Sequence, residues 1–316
     1  MLSQALQRPS PTAPDLHYLT LLQRKAKLLH LGEGYPRALQ AGAHRSHFQG
    51  QGMEFDESRL YQPGDDIRNM DWRVTARTGK AHTKIFREER ERPVWLALDL
   101  RPPMFFGTRG ALKSIIATEV ASLLAWSVLH QGDRVGGLII GAAAGRGSAV
   151  IKPAHGRRSI MRLLGLALDQ PLWTTAVGQQ SVPETAPDLL PHVQHLEHLA
   201  HSGSLLVIIS DGRGMNEQAV QRMRRLLIHH QVIFVLIHDP FESALHDVGL
   251  LALTNGVQKV NLDTANRNIL ARHQSLFAER RQALESLDQH PNFFLLSCCT
   301  TDDPFSVLNT FLGRKP

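Results

Sequence analysis

Cysteine is almost absent from this chain, and so are long apolar runs. The two cysteines, Cys298 and Cys299, are adjacent, a placement that suits a reducing compartment better than a disulfide framework. No apolar run reaches the ~18 residues that a membrane span needs, and residues 1–10 lack the apolar segment of a signal peptide. These absences predict a cytoplasmic protein without a membrane span.

Dense clusters of one charge sign are also missing. The net charge of +6 and the pI near 9.6 would by themselves favour a nucleic-acid partner. However, the lysines and arginines are interleaved with acids, most densely between Arg59 and Arg92, and no basic helix face with stacking aromatics is visible. We therefore expect solvated surface charge and no nucleic-acid partner.

From residue 93 onward, short apolar runs alternate with helical patterns. The predicted strands cover 94–98, 135–140, 149–151, 205–209, 232–237 and 293–296, and the predicted helices cover 111–130, 156–170, 187–201, 216–230, 265–289 and 304–312. A hairpin turn at 145–147 makes the third strand antiparallel to the second. The pattern predicts an α/β domain over 93–316, with a doubly wound, mainly parallel sheet and one antiparallel edge strand.

The residues before this domain fall into two parts. Residues 1–14 contain proline and serine and predict a disordered start, while the apolar side of 15–30 predicts a helix, so that 1–31 form one N-terminal segment. Residues 32–92 have many glycines and turn residues between short extended pieces. They predict a small β-rich module.

The most informative pattern lies inside this module, where residues 64–77 alternate acids and arginines around Trp72. Bidentate pairing of arginine with carboxylate needs such a density, because the guanidinium fork fixes geometry as well as charge. A surface hairpin with scattered ion pairs is the alternative. Trp72 is either the anchor of an interface or the core of the module. The candidate interaction residues are Arg59, Tyr61, Gly64, Asp65, Asp66, Arg68, Asp71, Trp72 and Arg77.

This pattern belongs to a longer resemblance. Residues 42–72, followed by 75–80, 84–86 and 88–89, are similar to the signature of domain-of-unknown-function family 58, whose members are MoxR-associated proteins with a von Willebrand factor A-like domain. The resemblance implies a von Willebrand A-like fold. It also implies two kinds of partner, a MoxR-type AAA+ ATPase and a client protein.

Aspartates follow three of the predicted strands, at Asp99, Asp211 and Asp239. Asp99 and Asp211 should converge, because the carboxyl ends of parallel strands meet at one edge of the sheet. The resemblance implies a divalent cation there, held by an Asp-x-Ser-x-Ser loop, a distal threonine and an aspartate. Here Arg101 and Pro103 replace both serines, and Thr185 is the candidate threonine. We expect a degenerate site in which Arg101 pairs with Asp99 and Asp211; bound Mg²⁺ or Mn²⁺ is the alternative.

Two other patterns resemble ligand sites more loosely. Residues 107–114 are close to a phosphate-binding loop, but Leu112 stands where its second glycine should be. The four histidines at every third position from His192 to His201 spread around a helix opposite its apolar side. Because zinc needs converging ligands, they predict a solvated face.

The resemblance implies a non-catalytic adaptor without a cofactor, which acts with a MoxR-type AAA+ ATPase in the chaperone-like maturation of other proteins. A divalent-metal-dependent, ligand-binding von Willebrand A module is the alternative. A hydrolase that uses the aspartates around Asp71 is a third hypothesis, but the sequence contains neither a visible nucleophile–base pair nor a Gly-x-Ser-x-Gly motif.

Overall fold

The computed structural model describes residues 7–31, 53–88, 92–141, 148–174, 188–243, 249–254 and 259–313. The chain forms two compact units, one made of Met1–Ala41 with Arg92–Pro316 and the other of Gly42–Glu91. We call the first the α/β unit and the second the signature unit. Each is described by itself.

The described helices and strands follow one another along the chain. In order they are α1 (Leu16–Leu21), α2 (Gln23–Ala26), β1 (Met53–Leu60), α3 (Trp72–Thr78), β2 (His82–Glu88), β3 (Val94–Leu100), α4 (Lys113–His130), β4 (Val135–Gly141), β5 (Ala149–Ala154), α5 (Arg157–Leu168), α6 (Leu190–Leu199), β6 (Leu205–Ser210), α7 (Glu217–His229), β7 (Gln231–His238), α8 (Pro240–Ser243), β8 (Leu250–Thr254), β9 (Lys259–Asp263), α9 (Arg267–Glu285), β10 (Phe293–Cys299) and α10 (Pro304–Leu312).

The α/β unit is built on a six-stranded sheet in the order β10-β7-β6-β3-β4-β5. Every neighbouring pair is parallel except β4 and β5, which are antiparallel. Strands β3 and β6 are buried along their whole length, as expected for strands that are covered on both faces. This arrangement confirms the predicted mainly parallel sheet with one antiparallel edge strand. The hairpin turn predicted at 145–147 lies outside the described residues.

Helices cover both faces of this sheet. Residues of α1, α2, α4, α5 and α10 share one apolar core with one face. Residues of α6 and α7, together with Leu284 of α9, share a second core with the other face. The sheet is therefore doubly wound, and every central strand is enclosed between two apolar layers.

The strand order creates a crevice at one edge of the sheet. From β3 the chain continues to β4 on one side, whereas from β6 it continues to β7 on the other side. Ligands of doubly wound sheets bind at such a switch point, outside the carboxyl ends of the strands. A ligand site in this fold is therefore expected at the residues that follow β3 and β6. We call this place the switch-point crevice.

The N-terminal segment packs on α4 in two short helices rather than in the single helix predicted over 15–30. The backbone carbonyl of Leu19 accepts hydrogen bonds from the Ser122 hydroxyl (2.8 Å) and the Trp126 indole (3.2 Å). The carbonyl of Leu29 accepts one from the Ser127 hydroxyl (2.7 Å). Polar side chains of a buried helix thus satisfy carbonyls that the short helices leave unpaired.

The signature unit contains an antiparallel pair, β1 and β2, with α3 in the connection between them. The Asp71 carboxylate caps α3 by accepting from the Val74 amide at 3.1 Å, and Gly79 ends the helix with a φ of +71°. The prediction of a β-rich module did not include this helix. In the α/β unit the β8–β9 hairpin was also not predicted.

None of the helices in the described part of the chain combines the length and the apolar character that crossing a membrane requires.

Candidate functional site

In the signature unit, an ion pair fixes the turn that precedes α3. The Asp65 carboxylate accepts a hydrogen bond from the Arg59 guanidinium at 2.6 Å and another from the Gln62 amide at 2.9 Å. Gly64, with a φ of +109°, allows the tight turn between them. The predicted pairing of arginine with carboxylate is present here.

Asp66 and Asp71, the other two acids within residues 64–77, accept hydrogen bonds from backbone amides rather than from arginine side chains. Asp66 accepts from the Arg68 amide at 2.9 Å, and Asp71 accepts from the Ser58 hydroxyl at 2.6 Å in addition to capping α3. The hydrogen bond from Ser58, helped by that from Val74, lowers the pKa of Asp71. A carboxyl kept ionised in this way is a structural cap and a poor general acid.

Large apolar side chains of the signature face solvent. Trp72 is 67% exposed, Ile67 62% and Leu60 53%. Arg68 and Arg77 are exposed as well, whereas Tyr61 is partly buried. Trp72 is therefore not the core of the signature unit, and of the two alternatives only the interface anchor is left as a hypothesis.

In the switch-point crevice, Asp99 and Arg101 form a bidentate pair. The guanidinium donates from Nε to Oδ1 (2.8 Å) and from Nη2 to Oδ2 (2.6 Å), and both residues are buried. The Ser210 hydroxyl donates to the same carboxylate at 2.7 Å. Burial lowers the pKa of Arg101 but the Asp99 carboxylate raises it more, so the guanidinium stays charged.

Asp211 forms ion pairs with other cations of this crevice. The Lys113 ammonium, at the first turn of α4, donates to Asp211 at 2.8 Å and to Glu242 at 3.0 Å. Arg213 reaches the same two carboxylates, at 3.3 Å and 2.9 Å, and Arg280 lies 3.7 Å from Glu242. Burial raises the pKa of Asp211, but Lys113 and Arg213 outweigh it and lower the pKa to about 2.

Asp239, directly after β7, binds loops that follow three of the strands. Its carboxylate accepts from the Thr108 amide at 2.8 Å and from the Thr300 hydroxyl at 2.8 Å, so it joins the loops after β3, β7 and β10. Three carboxylates of the crevice, Asp99, Asp211 and Glu242, form ion pairs with four cations, which are Arg101, Lys113, Arg213 and Arg280.

Most of the chain matches the model of a known protein family. Residues 57–283, which contain all nine candidate interaction residues and the ion-paired residues of the crevice, match the family described as "Protein of unknown function DUF58". The chain belongs to the DUF58 family. The resemblance noted in the sequence is thereby confirmed.

Two mycobacterial relatives of this DUF58 protein are described as uncharacterized proteins. It is 33% identical over 235 residues to uncharacterized protein Rv1480 of Mycobacterium tuberculosis and to uncharacterized protein Mb1516 of Mycobacterium bovis, covering 73% of this chain and 70% of each relative. Among solved structures, the conserved hypothetical protein BatB from Bacteroides thetaiotaomicron aligns with a TM-score of 0.40 and 11% identity, over 70% of this chain and 96% of that one. The Deinococcus radiodurans RO (RSR) protein aligns with a TM-score of 0.27 and 15% identity, over 58% and 34%.

The crevice residues do not fit a divalent cation. Arg101 occupies both oxygens of Asp99, and Lys113 occupies Asp211, so an ion would have to displace two buried cations. Pro103 has no ligating side chain, and Thr185 lies outside the described residues. Within the described ranges, no group of three or more His, Cys, Asp and Glu side chains is placed to hold a metal. We derive no metal-dependent step.

Sequence reasoning missed the cations that complete this cluster. Lys113 was assigned only to the start of a helix, although it and Glu119 are the only acidic or basic side chains apart from a terminal histidine in the apolar sequence of α4. Such an isolated charge signals a buried partner. We expected Arg101 to pair with both Asp99 and Asp211. Arg101 pairs with Asp99, whereas the ion pairs described for Asp211 are with Lys113 and Arg213, which were not expected there.

The histidines of α6 do not form a cluster. Val193 and Leu196 are buried on the apolar side of the helix, while His192 and His195 are half-buried and the other two histidines are exposed. Burial, helped by the charge of Arg101, lowers the pKa of His192. The described arrangement agrees with the expected polar face of α6.

Proposed function

We propose that this DUF58 protein is a non-catalytic adaptor that acts with a MoxR-type AAA+ ATPase in the chaperone-like maturation of client proteins. The observation that carries the proposal is the exposed Trp72, presented on a helix whose cap, turn and strands are fixed by hydrogen bonds. An exposed indole on a rigid support is typical of an interface anchor. The proposal places the protein where ATP is available, in the cytoplasm.

The crevice supports a non-catalytic role. Its carboxylates are committed to cations, hydroxyls and amides, and the pKa values of Asp211, Asp239 and Glu242 are lowered, so these three groups remain ionised at neutral pH. A general acid or base needs a pKa near the working pH and a reachable proton. The cluster instead has the properties of a support that joins four loops.

We also propose that the α/β unit is von Willebrand A-like, with the cation of that architecture replaced by side chains. The strand order, the antiparallel edge strand β5 and the aspartates after β3 and β6 support this. An experimental structure in which the six strands superpose in order on von Willebrand A domains tests the assignment.

Affinity capture tests the adaptor role. The immobilised chain is incubated with extract from its own organism, with and without ATP, and bound proteins are identified by mass spectrometry. We expect the wild type to recover a MoxR-type ATPase and Trp72→Ala to recover roughly tenfold less, as for loss of an interface hot spot. Leu276→Ala, which removes a similarly exposed apolar side chain from α9, should behave as wild type.

The two failures of this experiment have different meanings. If no AAA+ ATPase is recovered by the wild type, the adaptor role is wrong. If Trp72→Ala recovers as much ATPase as the wild type, the partner stands and the signature is not its surface.

A further inference from the structure

The exposed side of α3 combines one large aromatic with basic residues. Trp72, Arg73, Ala76 and Arg77 are all exposed, and at 100° per residue these positions lie within about 140° of each other around the helix. The side chains at 74 and 75 are half-buried instead, and α3 contacts β2. One side of the helix is therefore turned to solvent.

Further exposed residues flank the helix in the sequence. Ile67 and Arg68 come just before the Asp71 cap, and Lys80 comes just after Gly79. We call the set of Ile67, Arg68, Trp72, Arg73, Arg77 and Lys80 the α3 face.

The cations of the α3 face lack internal counter-charges. In the described part of the chain, no carboxylate forms an ion pair with Arg68, Arg73, Arg77 or Lys80. The acids of the same stretch are used elsewhere: Asp65 pairs with Arg59, while Asp66 and Asp71 cap helices. Asp65, Asp66 and Asp71 are thus used within the signature unit, while the four cations of the α3 face are exposed.

We propose that the α3 face docks on an acidic protein surface, whose carboxylates pair with the four cations and whose apolar pocket takes the Trp72 indole. Arginine and tryptophan are the residues that dominate interface energies, and complementary charge sets partner choice. The proposal rests on the proposed function, because the acidic surface it describes belongs to the ATPase partner.

A protein surface fits this face better than a nucleic acid does. Non-specific single-strand binders stack successive bases on several aromatics along a basic groove. The α3 face offers one exposed aromatic, and seven helical residues span only about 10 Å. That length matches a local patch with a single pocket.

Binding to defined probes tests the chemistry of the partner. We would measure the anisotropy of a labelled peptide made of glutamate and leucine, its lysine–leucine counterpart and oligouridylate, at increasing NaCl. We expect the wild type to prefer the acidic peptide, with affinity falling as salt rises. Arg73→Glu with Arg77→Glu should weaken binding at least tenfold. Arg224→Glu with Arg225→Glu on α7, which makes the same change in net charge, should not.

Tryptophan fluorescence separates docking from general charge attraction. Because Trp95 and Trp126 are buried and Trp173 is partly buried against the α/β core, binding should shift emission mainly through Trp72, and the shift should be lost in Trp72→Phe. Circular dichroism of each variant checks that it is folded. Equal binding by both double variants, preference for oligouridylate, or an unchanged emission spectrum would overturn the proposal.

The same variants separate this inference from the adaptor role. If the acidic peptide binds through the α3 face but no AAA+ ATPase is captured from extract, the inference stands and the adaptor role fails. If the ATPase is captured equally by wild type and by Arg73→Glu with Arg77→Glu, the adaptor role stands and the inference fails.

Discussion

Lys113 shows how a single residue organises the crevice. Its ammonium has no exposed surface, and its partners Asp211 and Glu242 are also buried. A buried ion pair adds little net stability over an apolar pair, but removal of one partner leaves the other charge unpaired in a low-dielectric site. The side chain is therefore more important for keeping the carboxylates satisfied than for its own contacts.

Replacement of Lys113 by methionine should lower the free energy of unfolding by about 3–5 kcal/mol, because two buried carboxylates lose a counter-charge. Urea unfolding followed by circular dichroism measures this. Lys25→Met is the control: Lys25 forms a long surface pair with Asp303 at 3.8 Å, and its loss should change stability by less than about 0.5 kcal/mol. Equal stability of both variants would contradict the account of the crevice.

The crevice also predicts how stability depends on acid. The pKa of Asp211 is lowered from 3.8 to about 2, and those of Asp239 and Glu242 are lowered as well. A carboxyl with a lowered pKa binds fewer protons folded than unfolded, so its contribution is complete above about pH 4 and is lost toward pH 2. Denaturant titrations from pH 7 to 2 should show this loss, with a weaker slope in Lys113→Met.

A histidine affects the same titration at higher pH. Burial lowers the pKa of His230 from 6.5 to about 4, so protonation favours the unfolded chain. Stability therefore falls as the pH decreases from 6.5 to about 4. The loss below pH 4 is then the part to assign to the carboxylates. If stability falls with pH below 4 equally steeply in the wild type and in Lys113→Met, the crevice does not control this acid dependence.

At the scale of elements, the sequence predicted the long ones. The strands of the six-stranded sheet are apolar runs with turn residues on both sides, so the sequence itself indicates that these strands are buried on two faces. Helix α3 has only seven residues, about two turns, which is too short for a clear helical pattern in the sequence, and it depends on its caps Asp71 and Gly79. The pairing of Asp99 with Arg101 is local, whereas Lys113, Asp211 and Glu242 meet only through the fold.

The cap of α3 provides a test at this scale. Gly79→Ala should lower stability by about 1 kcal/mol, because an alanine resists the left-handed backbone at a φ of +71° although space for its methyl group is free. Gly165→Ala is the matched control: this exposed glycine inside α5 has equally free surroundings and ordinary helical backbone, so the change should stabilise by about 0.5–1 kcal/mol. Thermal unfolding shifts of the same sign would contradict the capping role.

At the scale of the whole molecule, the signature unit is an insertion in the chain of the α/β unit. Residues 42–91 form one compact unit, and the segments on either side of them belong to the other. The N-terminal segment is tied to α4, where the Arg8 guanidinium makes two hydrogen bonds to the buried Glu119 carboxylate. The predicted boundaries at 31/32 and 92/93 stay predictions.

Removal of residues 42–91, with a glycine–serine linker in their place, should leave the α/β unit folded, because its two apolar cores contain no residue of that range. We expect a cooperative thermal transition and no capture of the ATPase. A chain without a cooperative transition would show that the signature unit is required for folding, and the single variant Trp72→Ala then remains the test of capture.

The ion pairs of the crevice have a consequence for how this edge of the sheet forms. Its positive charges are side chains of the same polypeptide, so they arrive with the carboxylates in fixed stoichiometry. Folding therefore supplies counter-charges to the buried Asp99, Asp211 and Glu242 in the same step that brings their strands together.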